Sequence, residues 1–217
     1  EVQAVCKAHG VILIFDETVT GFRYGLSGAQ GLFNVTPDLC VLGKGIANGF
    51  PLAAILGKAK LMEGFDDIFF SATFGGETLS LAAAKATIKK LQKTNTPSQL
   101  KDYGTQLKTL LNEKIEQYNL TGKVNIIAHP AWSFVDLTGF EGVDAMKLKT
   151  LYIQTMLASN VICLGTHNIS GAFQHKELEM LCSAYDKFFQ LLCKVKSNEN
   201  LDALLTVPSL QPIMKIR

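Results

Sequence analysis

Two short apolar runs constrain this chain more than anything else in it. Val11-Ile-Leu-Ile-Phe15 stops on two acids, Asp16 and Glu17, and the run that begins at Pro37-Asp-Leu-Cys-Val-Leu42 stops on Gly43-Lys44-Gly45. Apolar runs of this length without strict alternation are expected for buried parallel strands, and the carboxyl ends of such strands are where an open α/β sheet carries its chemistry. An acid and a lysine delivered to neighbouring strand ends suggest a reactive amine, because a carboxylate beside a positioned lysine can serve both charge stabilisation and nucleophilic catalysis. The glycines around Lys44 at positions 43, 45 and 49 let backbone and a flat ring approach closely.

Composition removes several alternatives. The 217 residues are 47% hydrophobic and 18% charged with a net charge of +2, a globular balance. The basic residues are dispersed, which argues against nucleic acid or an anionic membrane as partner. Cys6, Cys40, Cys163, Cys182 and Cys193 are odd in number and widely spaced, with no Cys-x-x-Cys pair. They indicate neither a zinc site nor a disulfide framework, and a cytoplasmic location is the simplest expectation. His9, His129, His167 and His175 lack metal-ligand spacing and read as packing or surface residues. No apolar run approaches the ~18 residues needed to span a bilayer. Glu1-Val-Gln-Ala-Val-Cys6 has no basic leader before a hydrophobic region, so a soluble, untargeted chain is expected.

Along the chain, residues 1 to 9 read as the end of a helix with Gly10 in the stop position. Strands are expected at Val11 to Phe15, Leu39 to Gly43 and Leu52 to Leu56, and a helix from Glu77 to Leu91. Thr96-Pro97-Ser98-Gln99 forms a capping box with proline at the first helical position. Leu100, Tyr103, Leu107, Leu110, Lys114 and Tyr118 then step at helical spacing, with Ile115 able to replace Lys114 in the stripe. Strands follow at Val124 to Ala128 and Ser133 to Leu137, a helix capped by Asp144 to about Ser159, a strand at Val161 to Leu164, and a helix marked by Leu178 to Leu192. The expected organisation is residues 1-100, residues 101-196 as a small α+β module, and 197-217 as a loosely attached tail with prolines at 208 and 212.

The wording Ile14-Phe-Asp-Glu-Thr-Val-Thr-Gly-Phe-Arg23, Gly28-Ala-Gln30, Pro37-Asp-Leu39 and Leu42-Gly-Lys44-Gly-Ile-Ala-Asn-Gly-Phe-Pro51 resembles the class III pyridoxal-phosphate aminotransferases. Within them it is most similar to the glutamate-1-semialdehyde aminomutase branch. The resemblance implies an α/β fold: the second half of a fold-type-I PLP-dependent transferase large domain plus a small α+β C-terminal domain. It covers residues 1 to about 195 and the second half of the family's length, so the family's phosphate loop is expected upstream of residue 1, and the chain is expected to be a fragment.

By the same resemblance, the cofactor is pyridoxal 5'-phosphate, Lys44 is its Schiff-base lysine, and Asp16 pairs with the pyridine nitrogen. A pyridine ring held protonated withdraws electrons from a carbanion formed on the substrate. Lys44, freed by an incoming amine, is expected to shuttle a proton as general acid and base. Thr18 stands where the family has a valine packed on the ring, leaving its hydroxyl partner open. Thr73, in Ser71-Ala-Thr-Phe-Gly-Gly76, corresponds to the threonine that reaches the cofactor phosphate of a neighbouring subunit, so a homodimer with a shared site and a small-molecule amine or amino-acid substrate are implied. The residue-level alternatives stay open: a surface lysine after a strand, a capping aspartate, a loop threonine capping the helix that follows Glu77. Glu17 reads as structural, and Arg23 as a carboxylate binder or a loop brace. Gly76-Glu77-Thr78 departs from the family's usual glycine-asparagine-proline and leaves the substrate open. A non-catalytic remnant acting as a binding or assembly module, or an aminotransferase for a keto-sugar or carrier-bound substrate, are the competing functions.

Overall fold

The computed structural model describes residues 1–211, which divide between Gln99 and Leu100 into two compact units. The first begins with helix α1 (Val2–Ala8), closed by Gly10 at φ +64°. It contains the strands β1 (Ile14–Glu17), β2 (Leu39–Leu42) and β3 (Ala54–Gly57) in the order β1-β2-β3. β1 and β2 run parallel with Asp16 opposite Val41 and Glu17 opposite Leu42, whereas β3 returns antiparallel to β2. Between the strands lie α2 (Gly28–Phe33) and, after β3, α3 (Ala59–Met62); α4 (Thr78–Thr94) follows. The small core of this unit gathers Ile46, Ala47 and Ala84, with Phe22, Leu42 and Ile88 packed around it.

The expectation that the first run is a buried strand is corrected. β1 begins at Ile14 and is an edge strand, and Val11, Ile12 and Ile14 are exposed. An edge strand has a neighbour on one side only, so the apolar run signals a strand without securing its burial.

The second unit opens within α5 (Thr96–Gln117). Its buried stripe is Leu100, Gly104, Leu107, Leu111 and Ile115, while Tyr103, Leu110 and Tyr118 flank it. Lys114 leaves the stripe and its Nζ bonds both carboxylate oxygens of Asp186 at 2.8 and 2.7 Å. β4 (Asn125–His129), β5 (Trp132–Asp136) and β6 (Thr166–Asn168) form an antiparallel sheet in that order. α6 (Ala145–Ala158), N-capped by Asp144 through Met146 N and Lys147 N, and α7 (His175–Leu192) complete the core with α8 (Asn198–Asp202).

Two expectations fail here. The strand expected at Val161 to Leu164 is irregular chain with Ile162 and Leu164 exposed; β5 is paired instead by Thr166–Asn168, since Gly165 at φ +95° turns the backbone into register. The tail is not loosely attached over its described part. Leu201 is fully buried, Leu204 and Leu205 pack on the core, and Gln154 bonds Leu204 O and Thr206 N. Pro212 lies outside the described residues.

A chain of buried polar groups crosses this core. Ser133 Oγ lies 2.9 Å from His167 Nδ1, His167 Nε2 lies 2.6 Å from the Tyr185 hydroxyl, and Tyr185 meets Tyr152, whose hydroxyl donates to Cys163 Sγ. Each group finds a partner inside, as burial of a polar side chain requires.

Candidate active site

The parallel pairing of β1 and β2 brings two chain segments out at one sheet edge. On β1, Asp16 is exposed while Glu17, one residue later, is buried at 1% exposure. This is the alternation of a strand, which sends successive side chains to opposite faces. Asp16 Oδ1 accepts a hydrogen bond from Thr18 N at 3.0 Å. Bonds from the Thr18 hydroxyl and amide, and secondarily the charge of Lys44, hold the Asp16 carboxyl below its usual range. Asp16 and Lys44 are therefore electrostatic neighbours, and Asp16 is kept as an anion.

On β2, the chain leaves Leu42 through the extended Gly43 into a single turn of 3-10 helix, Lys44–Ile46. Lys44 sits at φ +42°, in the left-handed region that side chains disfavour. The turn is held there from its far side, where Ile46 and Ala47 are buried in the core of the unit. Packing is also tight at Gly43, where a side chain would begin 3.1 Å from Thr18 Cγ2. Thr18 thus presents its methyl to the Lys44 turn while its amide bonds Asp16.

Asp16, Thr18 and the Lys44 turn are linked through the Asp16–Thr18 bond, the approach of Thr18 to Gly43 and the charge of Lys44; Thr73 is not part of this linkage. It lies on the exposed turn around Ala72–Gly75 and makes no hydrogen bond to those three among the described residues. Nor does it cap the following helix. Glu77 is the N-cap of α4, accepting from Leu79 N and Ser80 N at 2.7 Å each, and these bonds lower its carboxyl pKa together with that of the Ser80 hydroxyl, the largest contributor. The glutamate of Gly76-Glu77-Thr78 is accounted for by this cap. Arg23 is half-buried, and desolvation lowers its guanidinium pKa against the opposing influence of Tyr24.

Glu17 is the residue whose surroundings the sequence understated. Its carboxylate accepts from Ala29 N (2.6 Å), Gln30 N and Gln30 Nε2 (3.1 Å each) and Thr20 Oγ1 (3.0 Å). Gly28, at φ +58°, passes so close that a Cβ would fall 2.1 Å from Glu17 Oε2. The Gly28-Ala-Gln30 triplet is thereby explained as the cradle of this acid, and its fixed spacing from Glu17 was the available signal.

The donor set fits a pyridine aldehyde: an amine for the carbonyl, an anionic carboxylate for a ring nitrogen, and small residues where a flat ring must approach. Comparison with known proteins agrees at the level of fold. An ω-transaminase from Sphaerobacter thermophilus superposes with a TM-score of 0.77 at 21% identity over 87% of this chain and 46% of its own. The FumI protein of Sphingopyxis sp. MTA144, in its PLP internal aldimine form, does so with 0.76 at 21% identity, over 91% of this chain and 48% of its own. The fold is that of the transaminases. The sequence places the chain more narrowly: residues 1–169 match the aminotransferase class-III family, and the chain belongs to it.

Among curated relatives, the glutamate-1-semialdehyde 2,1-aminomutase of Sulfurisphaera tokodaii is 35% identical over 153 residues, covering 68% of this chain and 36% of the relative. That of Caldicellulosiruptor bescii is 32% identical over 193 residues, covering 86% and 45%. The chain thus spans less than half the length of these relatives.

Proposed function

We propose that this chain carries the lysine and acid of a pyridoxal-phosphate-dependent amino-group transfer, of the glutamate-1-semialdehyde aminomutase type, acting on a small amine or amino acid. The observation that supports it best is the juxtaposition of Asp16 and Lys44 at the ends of parallel neighbouring strands, with Asp16 held ionised. When bound, the cofactor supplies an electron sink for a carbanion at the substrate carbon. The remaining roles belong to the chain. Lys44 would hold the cofactor through its Nζ and would provide the amine that moves a proton at the reacting carbon. Asp16 keeps the ring nitrogen protonated. Thr18 fixes Asp16 and fills the space beside Gly43. Thr73, exposed and without a hydrogen bond to these groups among the described residues, is proposed to serve the phosphate of a second copy, which makes the active form a homodimer. A cytoplasmic location belongs to the same proposal.

Reducing the cofactor-loaded full-length protein with borohydride and mapping its peptides tests the assignment. The cofactor mass is expected on the peptide containing Lys44 and is expected to disappear from the Lys44→Ala variant. A reduced cofactor retained by that variant on another lysine refutes the reading.

A further inference from the structure

β1 ends in two adjacent carboxylates, and only one of them can face the Lys44 side of the sheet. A slip of one residue in the β1-β2 register would exchange Asp16 for Glu17, since side chains alternate along a strand. Little in the strand itself forbids that slip. Ile14 and Phe15 of β1 are adjacent and both apolar, as is Leu13 before them, so the hydrophobic pattern reads nearly the same in either register, and parallel ladders have evenly spaced hydrogen bonds. Leu13 N, bonded to Asp38 Oδ2 at 2.8 Å, pins the start of the strand. At its end the strongest constraint is Glu17, with four donors from Thr20, Ala29 and Gln30. Gln30 Nε2 is also 3.4 Å from Cys40 Sγ on β2, so the acid is tied to the neighbouring strand as well as to α2.

Resting on the reading that Asp16 serves the ring nitrogen, we propose that Glu17 is a positioning residue: its buried four-donor cradle locks the rotation and register of β1 so that Asp16, and not Glu17, is presented beside Lys44. The cradle closes directly on the carboxylate, since a Cβ at Gly28 would fall 2.1 Å from Glu17 Oε2. Asp16 is one methylene shorter and cannot reach the same donors from a backbone position set for Glu17. The two acids are consequently not interchangeable, and the cradle makes the choice.

The test compares two affinities of the full-length protein, one for pyridoxal phosphate and one for its analogue with C–H in place of the ring nitrogen. Their ratio reports whether a carboxylate is in place at that atom, independently of turnover. The parent is expected to prefer pyridoxal phosphate by about tenfold or more, one power of ten being about 1.4 kcal/mol. Asp16→Asn is expected to abolish the preference. Glu17→Gln, which sets an amide NH2 against donors that need an acceptor, is expected to lower it by about threefold or more. Thr20→Val, which removes one donor and leaves the carboxylate, is expected to lower it by about twofold, and it decides the matter if Glu17→Gln does not fold. A merely structural Glu17 would weaken both affinities equally and leave the ratio at the parental value in the folded variants; that result overturns the proposal while Asp16→Asn upholds the site. A parent without preference, unchanged by Asp16→Asn, overturns the assignment of Asp16 and this proposal with it.

Discussion

The buried histidine of the second unit makes acid stability a direct test of its packing. His167 is enclosed by Ser133 and Tyr185, and burial lowers its pKa from 6.5 to about 4. In the folded chain it is therefore neutral over a range where an unfolded chain binds a proton. As pH falls through 6.5 the unfolded state takes up that proton and the folded state does not, so stability declines until the folded pKa near 4 is reached. The interval between 6.5 and about 4 corresponds to about 3 kcal/mol, at about 1.4 kcal/mol per unit. Below pH 4 this group contributes no further slope. Trp132, the chain's single tryptophan, pairs with Asn168 beside this site and gives a fluorescence signal for unfolding. Urea titrations at several values between pH 7 and 4 should show the parent losing about 3 kcal/mol more than His167→Gln, which retains polar contacts but does not titrate. His129, whose pKa is also lowered by burial and secondarily by Lys101 and Lys108, is present in both proteins and cancels. Coincident pH profiles for parent and variant would refute the reasoning.

Leu201→Ala removes a fully buried side chain from α8 and should lower unfolding free energy by about 2 to 4 kcal/mol in urea titration; an effect near zero would mean that the segment after residue 196 contributes little to the core. Gly104→Ala improves helix propensity by up to about 1 kcal/mol, yet its Cβ would fall 2.0 Å from Pro130 O. The variant should accordingly melt below the parent, and a higher melting temperature would contradict the close approach of α5 to the β4–β5 turn.

Much of the first unit could be read because its signals are local. The glycines beside Lys44 and the acids ending β1 mark where the strands stop, and Asp144 and Gly10 mark helix ends through side-chain capping and positive φ. What escaped depends on contacts distant in sequence. β6 is three residues of Thr-His-Asn, too short and polar to show a strand period, and it exists because β5 offers it a partner. Val161 to Leu164 has the composition of a strand and no such partner. α7 starts at His175 on a capping box built from Gln174 and Glu177, an uncommon cap that the apolar stripe from Leu178 does not reveal. The segment after Ser197 looks polar and proline-marked, but Leu201 from it is fully buried in the core and Leu204 and Leu205 pack against it. Strand alternation alone marks Glu17 as structural; its four donors come from residues up to thirteen positions away.

The backbone at Lys44 also bears on how this protein can be altered. A non-glycine residue in the left-handed region carries a penalty of roughly 1 to 2 kcal/mol, and φ +42° at Lys44 lies there. Glycine or asparagine would relax the turn while deleting the amine, so selection for thermal robustness alone would favour losing this side chain. On the proposed role of Lys44, conformational comfort and reactivity are opposed at one residue, and selection for turnover is what would keep lysine in place.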